Sequence, residues 1–121
     1  MYRAFVHDAV LALGPGGDPR APGAAVTVAL CGHWEHDPPC PLAPHHTTAE
    51  PAAGTGELHL RVLFAADPAD EAEVRARIED ALRSGSLQGP DGTRSHWRLL
   101  SAAAGEASPD ERAHATRLTA P

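Results

Sequence analysis

The stretch ELHLRVLFAADPADEAEVRARIEDALRSG, residues 57–85, holds the two clearest secondary-structure patterns of the chain. In residues 57–65, apolar side chains occupy every second position and face away from Glu57, His59 and Arg61. A period of two is typical of a strand that buries one face and exposes the other. We therefore predict a half-buried β-strand at 57–65.

The second half of this stretch predicts an α-helix that ends near Gly85. Asp67 suits the N-cap, and Pro68 suits the first helical position. An apolar stripe and three acid–arginine pairs then follow at helical spacing. The stripe is Val74, Ile78 and Leu82, and the pairs are Glu71 with Arg75, Glu73 with Arg77 and Glu79 with Arg83.

Four weaker patterns complete the expected secondary structure. Apolar and β-branched residues predict further strands at 2–13, 24–34 and 95–104. A capping box that starts at Ser108 predicts a short C-terminal helix. The expected order is βββαβα.

This order indicates an α+β fold in a single domain, residues 1–121. We expect a mostly antiparallel sheet of about four strands with one long and one short helix on one face. These elements are compatible with ferredoxin-like packing. A long proline- and histidine-rich loop is expected at 35–56, because the prolines at 38, 39, 41, 44 and 51 disfavour a helix or a central strand.

The charge of the chain excludes two classes of partner. The formal net charge is −6 and no basic patch is evident, so nucleic acids and anionic membranes would repel the protein. No apolar run approaches the roughly 20 residues of a membrane span. His7 and Asp8 interrupt the apolar N-terminal segment and argue against a signal peptide. We expect a cytoplasmic protein with reduced cysteines.

The segment CGHWEHDPPCPLAPHHT, residues 31–47, concentrates two cysteines and four histidines. Thiolate and neutral imidazole are the ligands that zinc prefers. On a strand, Cys31 and His33 would project from one face about 7 Å apart, and a histidine of the 57–65 strand could face them. The sequence therefore predicts a divalent metal site, most simply zinc, among these donors: Cys31, His33, His36, Cys40, His45, His46 and His59.

The spacing of these donors leaves the metal and its role open. Neither C-x-x-C nor a zinc-finger histidine pair is present, so the prediction depends on donor density alone. A solvated loop with a small buried cysteine is the alternative without metal. Copper(I) is disfavoured because the only methionine is the first residue, whereas His33, Glu35 and a distant histidine would suit iron(II).

Two further functions remain compatible with the sequence. A metal with an open coordination position could activate water, with Glu35 or Asp37 as the general base, and the protein would then be a small hydrolase. Alternatively, an open sheet face with Trp34 and Trp97 could mediate self-association into a homodimer or contact another partner.

Overall fold

The computed structural model describes residues 2–31, 43–52, 54, 56–89 and 91–119. The protein has an α+β fold, in which a curled five-stranded antiparallel sheet forms a half-barrel and carries three helices. The elements are β1 (Arg3–Leu13), α1 (Ala21–Cys31), β2 (His45–Pro51), β3 (Glu57–Ala66), α2 (Glu71–Arg83), β4 (Ser86–Gln88), β5 (Arg94–Gly105) and α3 (Pro109–Thr119). The strand order is β2-β3-β1-β5-β4.

Strand β1 is the centre of the sheet and pairs antiparallel with both β3 and β5. Phe5 of β1 lies opposite Phe64 of β3, and their rings are 5.4 Å apart. Along β5 the register shifts between Val10 and Leu11 of β1, which leaves Leu100 as the extra residue of a β-bulge. Leu100 is one of the few large apolar side chains that the described residues expose.

The two faces of the sheet bury separate apolar clusters. Alternation along β1 sends Leu11 to the face that α1 and α2 cover and Val6 to the opposite face. We call these the inner and outer face. The inner cluster is the larger one, and Phe64 and Ile78 are fully buried in it. The outer cluster is small, and Ala115 is the residue of α3 that is buried in it.

The structure confirms the elements with the strongest periodic patterns. Strands occupy the predicted segments 2–13, 57–65 and 95–104, and helices follow Asp67 and Ser108. The Asp67 side chain accepts a hydrogen bond from the Ala69 N–H, and a short 3-10 turn precedes α2. All three predicted acid–arginine pairs of α2 form ion pairs. Gly85 ends this segment with a φ of 75°, a value that glycine adopts without strain.

The strand predicted at 24–34 is wrong, because residues 21–31 form helix α1. Val26 and Leu30 are four residues apart and fully buried, so helical spacing places both on the inner core. Pro22 stands in the first turn, where its missing N–H has no helical partner to lose. Gly23 allows close approach to the sheet, since a Cβ there would lie 3.0 Å from Thr47 Oγ1.

The predicted order βββαβα is also wrong, and the observed order is βαββαββα. Residues 45–51 form β2 inside the segment expected to be a loop. Pro51 is tolerated because it ends an edge strand. The short strand β4 was not predicted, and α3 covers the outer face, so the helices do not share one face.

Among the described residues, no helix has both the length and the apolar character needed to cross a bilayer.

Candidate functional site

The predicted metal-binding segment connects the end of α1 to the start of β2. Cys31 is the last residue of α1, and the described chain resumes at Ala43, two residues before β2. Four predicted site residues lie outside the described residues, namely His33, Glu35, His36 and Cys40. Because α1 is a helix, the expected strand geometry for Cys31 and His33 does not apply. The described part of the junction therefore consists of its two ends.

His45 packs against α1 at this junction. Its Nδ1 lies 3.1 Å from the Ala43 carbonyl oxygen, and its Nε2 lies 3.0 Å from the Thr27 hydroxyl. Because a carbonyl oxygen can only accept, Nδ1 carries the proton and Nε2 accepts from Thr27. Thr27 is one helical turn before Cys31. The fold thus brings His45, near the end of the donor-rich segment, to the last turns of the helix in which that segment begins.

His46 and His59 lie on the outer face, away from α1. His46 follows His45 in β2 and points to the opposite side, where its ring centroid is 4.7 Å from that of His114. His59 is exposed and lies opposite Glu50, four residues along β2 from His46 and therefore about 13 Å away. The expectation that His59 faces the donors of residues 31–33 depended on a strand at 24–34 pairing with β3. Strand β3 pairs with β1 and β2 instead, and His33 lies outside the described residues.

Of the seven predicted metal ligands, the structure describes the side chains of His45, His46 and His59, and these three do not form one cluster. Within residues 2–31, 43–52, 54, 56–89 and 91–119, no three side chains of histidine, cysteine or acidic type converge on a common point. His45 is the predicted donor that the described fold places beside the junction. His46 and His59 are separated from it by the sheet and from each other by two pleats.

A buried ionisable cluster between β1 and α2 was not predicted. Arg75 Nη1 lies 2.9 Å from His7 Nδ1 and donates to the Val6 carbonyl at 2.7 Å. His7 Nε2 lies 2.9 Å from Glu79 Oε2, at ion-pair distance but outside hydrogen-bond geometry. Burial lowers the pKa of His7, although Glu79 opposes this effect. The guanidinium also lies over the Phe64 ring at 5.3 Å.

The sequence contains a signal for this cluster. His7 shares the period-two face of Phe5 and Leu11, so a buried polar side chain could have been expected there. Its partners Arg75 and Glu79 are four residues apart beside the apolar stripe of α2. The cluster joins α2 to β1, and solvent barely reaches its imidazole, since His7 is 3% exposed. We interpret it as structural.

A second ionic cluster attaches α3 to the outer face. Arg61 donates two hydrogen bonds to Glu111, both at 2.8 Å, and two to Asp8, at 2.9 and 3.0 Å. The guanidinium lowers the pKa of Glu111 to about 2, and the pairing raises the pKa of Arg61. Glu111 also completes the predicted capping box with Ser108. All of these groups are engaged within the protein, which indicates a structural role.

A cleft of about 520 Å³ lies between the β1–α1 turn and the β4–β5 hairpin. Its lining includes Asp18, Arg20, Leu87, Asp91 and Ser95. Asp18 and Arg20 neutralise one another through an ion pair at 2.9 Å. The cleft adjoins the start of α1, whereas Cys31 ends this helix about 15 Å away. The cleft is therefore separate from the end of α1, where the predicted metal-binding segment begins.

Trp97 is unsuited to the interaction surface that the sequence suggested. It is 6% exposed, and its indole N–H donates to the Leu82 carbonyl at 2.7 Å. Trp34, the other tryptophan considered, lies outside the described residues. The Trp97 side chain instead joins β5 to the last turn of α2.

Comparison with known proteins identifies no relative of this chain. The chain significantly matches no family model, no curated protein sequence and no solved structure.

Proposed function

We propose that this protein binds one divalent metal ion, most simply zinc, at the junction of α1 and β2. The proposed ligands are Cys31, His33, Cys40 and one histidine. His36 and His45 are the candidates for the fourth position. His46 and His59 are dropped because they lie on the outer face of the sheet.

The observation that supports the proposal is the position and tautomer of His45. A histidine that binds zinc through one nitrogen commonly donates its other N–H to a backbone carbonyl. His45 has this arrangement, since Nδ1–H meets the Ala43 carbonyl and Nε2 faces Thr27, one turn before the end of α1. The Thr27 hydroxyl that now meets Nε2 has a second acceptor, the Gly23 carbonyl at 3.2 Å. Thr27 could therefore yield its place to a metal ion.

The role that suits this placement is structural. Four-coordinate zinc with cysteine and histidine ligands contributes directly to folding stability. At this junction it would tie the end of α1 to the start of the edge strand β2 across residues 32–42. The proposal requires a reducing compartment such as the cytoplasm, where both cysteines remain thiols.

We also propose a ferredoxin-like arrangement for the core of the fold. The elements β1, α1, β2, β3, α2 and β5 follow the βαββαβ order. The sheet order β2-β3-β1-β5 is antiparallel throughout, and β4 adds one short strand beside β5. The helix α3 on the outer face is a further addition.

Elemental analysis of the untagged protein tests the proposed function. We expect close to one equivalent of zinc after reconstitution and dialysis, and its loss on combined Cys31→Ser and His33→Gln substitution. The paired control is His59→Gln with His96→Gln, which removes two exposed histidines elsewhere and should retain the metal. Absence of metal in the reconstituted protein would contradict the proposal. A retained metal with exchangeable water would instead favour a hydrolase in which Glu35 serves as the base.

A further inference from the structure

The outer face holds a pair of imidazoles that the proposed zinc site does not use. His46 is the second residue of β2, and His114 lies in the middle of α3. Their ring centroids are 4.7 Å apart with an angle of 51° between the ring planes. The two residues are 68 positions apart in sequence, as the difference of their numbers shows, so their contact is produced by the docking of α3 on the sheet.

The contact between the rings has the dimensions of a two-histidine metal site. A metal ion lies about 2.0–2.1 Å from a ligating imidazole nitrogen and hence about 3.2 Å from the ring centroid. Two rings bound to one ion at 90–110° then have centroids roughly 4.5–5.2 Å apart. The observed separation falls within this interval.

Both histidines adjoin the outer cluster and remain accessible to solvent. His114 is followed by Ala115, which is buried in the outer cluster with Leu63. Leu63 lies opposite His46 in the β2–β3 register. One turn earlier in α3, Glu111 is anchored by Arg61. His46 is exposed and His114 half-buried, so an ion can reach the pair from solvent.

We propose that His46 and His114 form a second, accessible site for a divalent transition-metal ion with a preference for imidazole, such as Ni²⁺ or Cu²⁺. The protein supplies two ligands, and water completes the coordination. Glu111 does not contribute, because both of its carboxylate oxygens accept hydrogen bonds from Arg61. The net charge of −6 favours cation binding at long range.

The site is tested by nickel titration of the zinc-reconstituted full chain, followed through the histidine ring signals in ¹H–¹⁵N spectra. Paramagnetic broadening by Ni²⁺ reports which imidazoles bind. We expect the signals of His46 and His114 to broaden together and before those of any other histidine. Exposed His59 and His96 serve as single-imidazole references in the same sample.

Two variants separate chelation from independent binding by each ring. Because the second ligand acts at high effective concentration, His114→Gln should weaken nickel binding at His46 by about 100-fold, to the level of the reference histidines. His46→Asn should have the same effect on His114, and His59→Gln should leave both unchanged. The proposal is overturned if His46 and His114 broaden no earlier than His59 and His96, or if His114→Gln leaves the affinity at His46 unaltered. Neither result bears on zinc at the α1–β2 junction.

Discussion

Arg75 of α2 donates a hydrogen bond to Nδ1 of the buried His7 in β1, at 2.9 Å. A guanidinium has no acceptor, so this contact requires a neutral imidazole that carries its proton on Nε2. His7 Nε2 lies 2.9 Å from Glu79 Oε2, outside hydrogen-bond geometry. Protonation of Nδ1 would place two donors against each other in the interface between helix and sheet.

The first prediction is a loss of stability in mild acid that originates at His7. Burial lowers the pKa of His7 in the folded state, so between pH 6.5 and that lower value the unfolded chain binds more protons. The contribution of neutral His7 to the free energy of unfolding is complete above about pH 6.5, the ordinary pKa of histidine. It is lost as the pH falls towards the lower pKa of His7 in the folded protein. Urea unfolding at pH 7.5, 6.5 and 5.5 measures this loss.

The matched variant for this measurement is His7→Gln, which keeps a polar group but cannot titrate. Its unfolding free energy should change less than that of the wild type over the same pH steps. Equal pH dependence in both proteins would assign the effect to other groups. His96→Gln, at an exposed position on β5, should behave as the wild type.

The second prediction concerns the attachment of α3. Glu111→Gln removes the charge that pairs with Arg61, and we expect a loss of about 1–2 kcal/mol of unfolding free energy at pH 7. The control is Asp110→Asn, a neighbouring exposed acid in the same helical turn, with a much smaller expected effect. If Asp110→Asn lost as much unfolding free energy as Glu111→Gln, the effect would come from the interaction of acidic residues with the helix dipole and not from the pair with Arg61.

The same ion pair has its own range of pH dependence. The pKa of Glu111 is about 2 in the folded protein against 4.5 for an ordinary glutamate. Its contribution is therefore present above pH 4.5 and lost as the pH falls from 4.5 towards 2. Glu111→Gln should be less sensitive than the wild type to acid in this range, as followed by circular dichroism.

The third prediction is a steric conflict at the end of β5. A Cβ on Gly105 would overlap the Asp8 carboxylate, which Arg61 holds in place, and would lie 3.2 Å from Val6 Cγ1. Gly105→Ala should cost about 1–3 kcal/mol of unfolding free energy. In an Asp8→Ala background the same change should cost much less. Equal losses in the two backgrounds, measured as a double-mutant cycle, would exclude the conflict.

The fourth prediction separates a ligand role for His45 from a purely structural one. If Nε2 binds zinc, His45→Gln should lower zinc affinity at least about tenfold, whereas Thr27→Val should not lower it, because Thr27 only occupies the same nitrogen. If His45 is structural, both variants should destabilise the fold similarly without altering zinc affinity. His46→Gln is the neighbouring control on the opposite face and should retain tight zinc binding.

Elements with strong local patterns could be predicted from the sequence. The alternation in 57–65 and the stripe of Val74, Ile78 and Leu82 each determine which face is buried. The cap at Asp67 and the box at Ser108 use short-range hydrogen bonds that neighbouring residues specify. None of these features depends on distant parts of the chain.

The parts that sequence reasoning missed depend on tertiary contacts. The apolar residues around Val26 fit both the two-residue period of a strand and the 3.6-residue period of a helix. Packing on the inner face selects the helix. Strand β2 has little apolar character and forms through its pairing with β3. Consequently the separation of His45 from His46 and His59, and the meeting of His46 with His114, could not be inferred before the topology was known.

Cobalt(II) absorption spectroscopy tests the central claim, a metal held by cysteine and histidine at the α1–β2 junction. Co²⁺ replaces Zn²⁺ in tetrahedral sites and gives a thiolate-to-metal charge-transfer band only when cysteine binds it. We predict this band together with intense tetrahedral d–d bands at one equivalent of Co²⁺, and its reduction in Cys31→Ser and in Cys40→Ser. A spectrum of weak octahedral bands without thiolate charge transfer, unchanged by these two substitutions, would contradict the account.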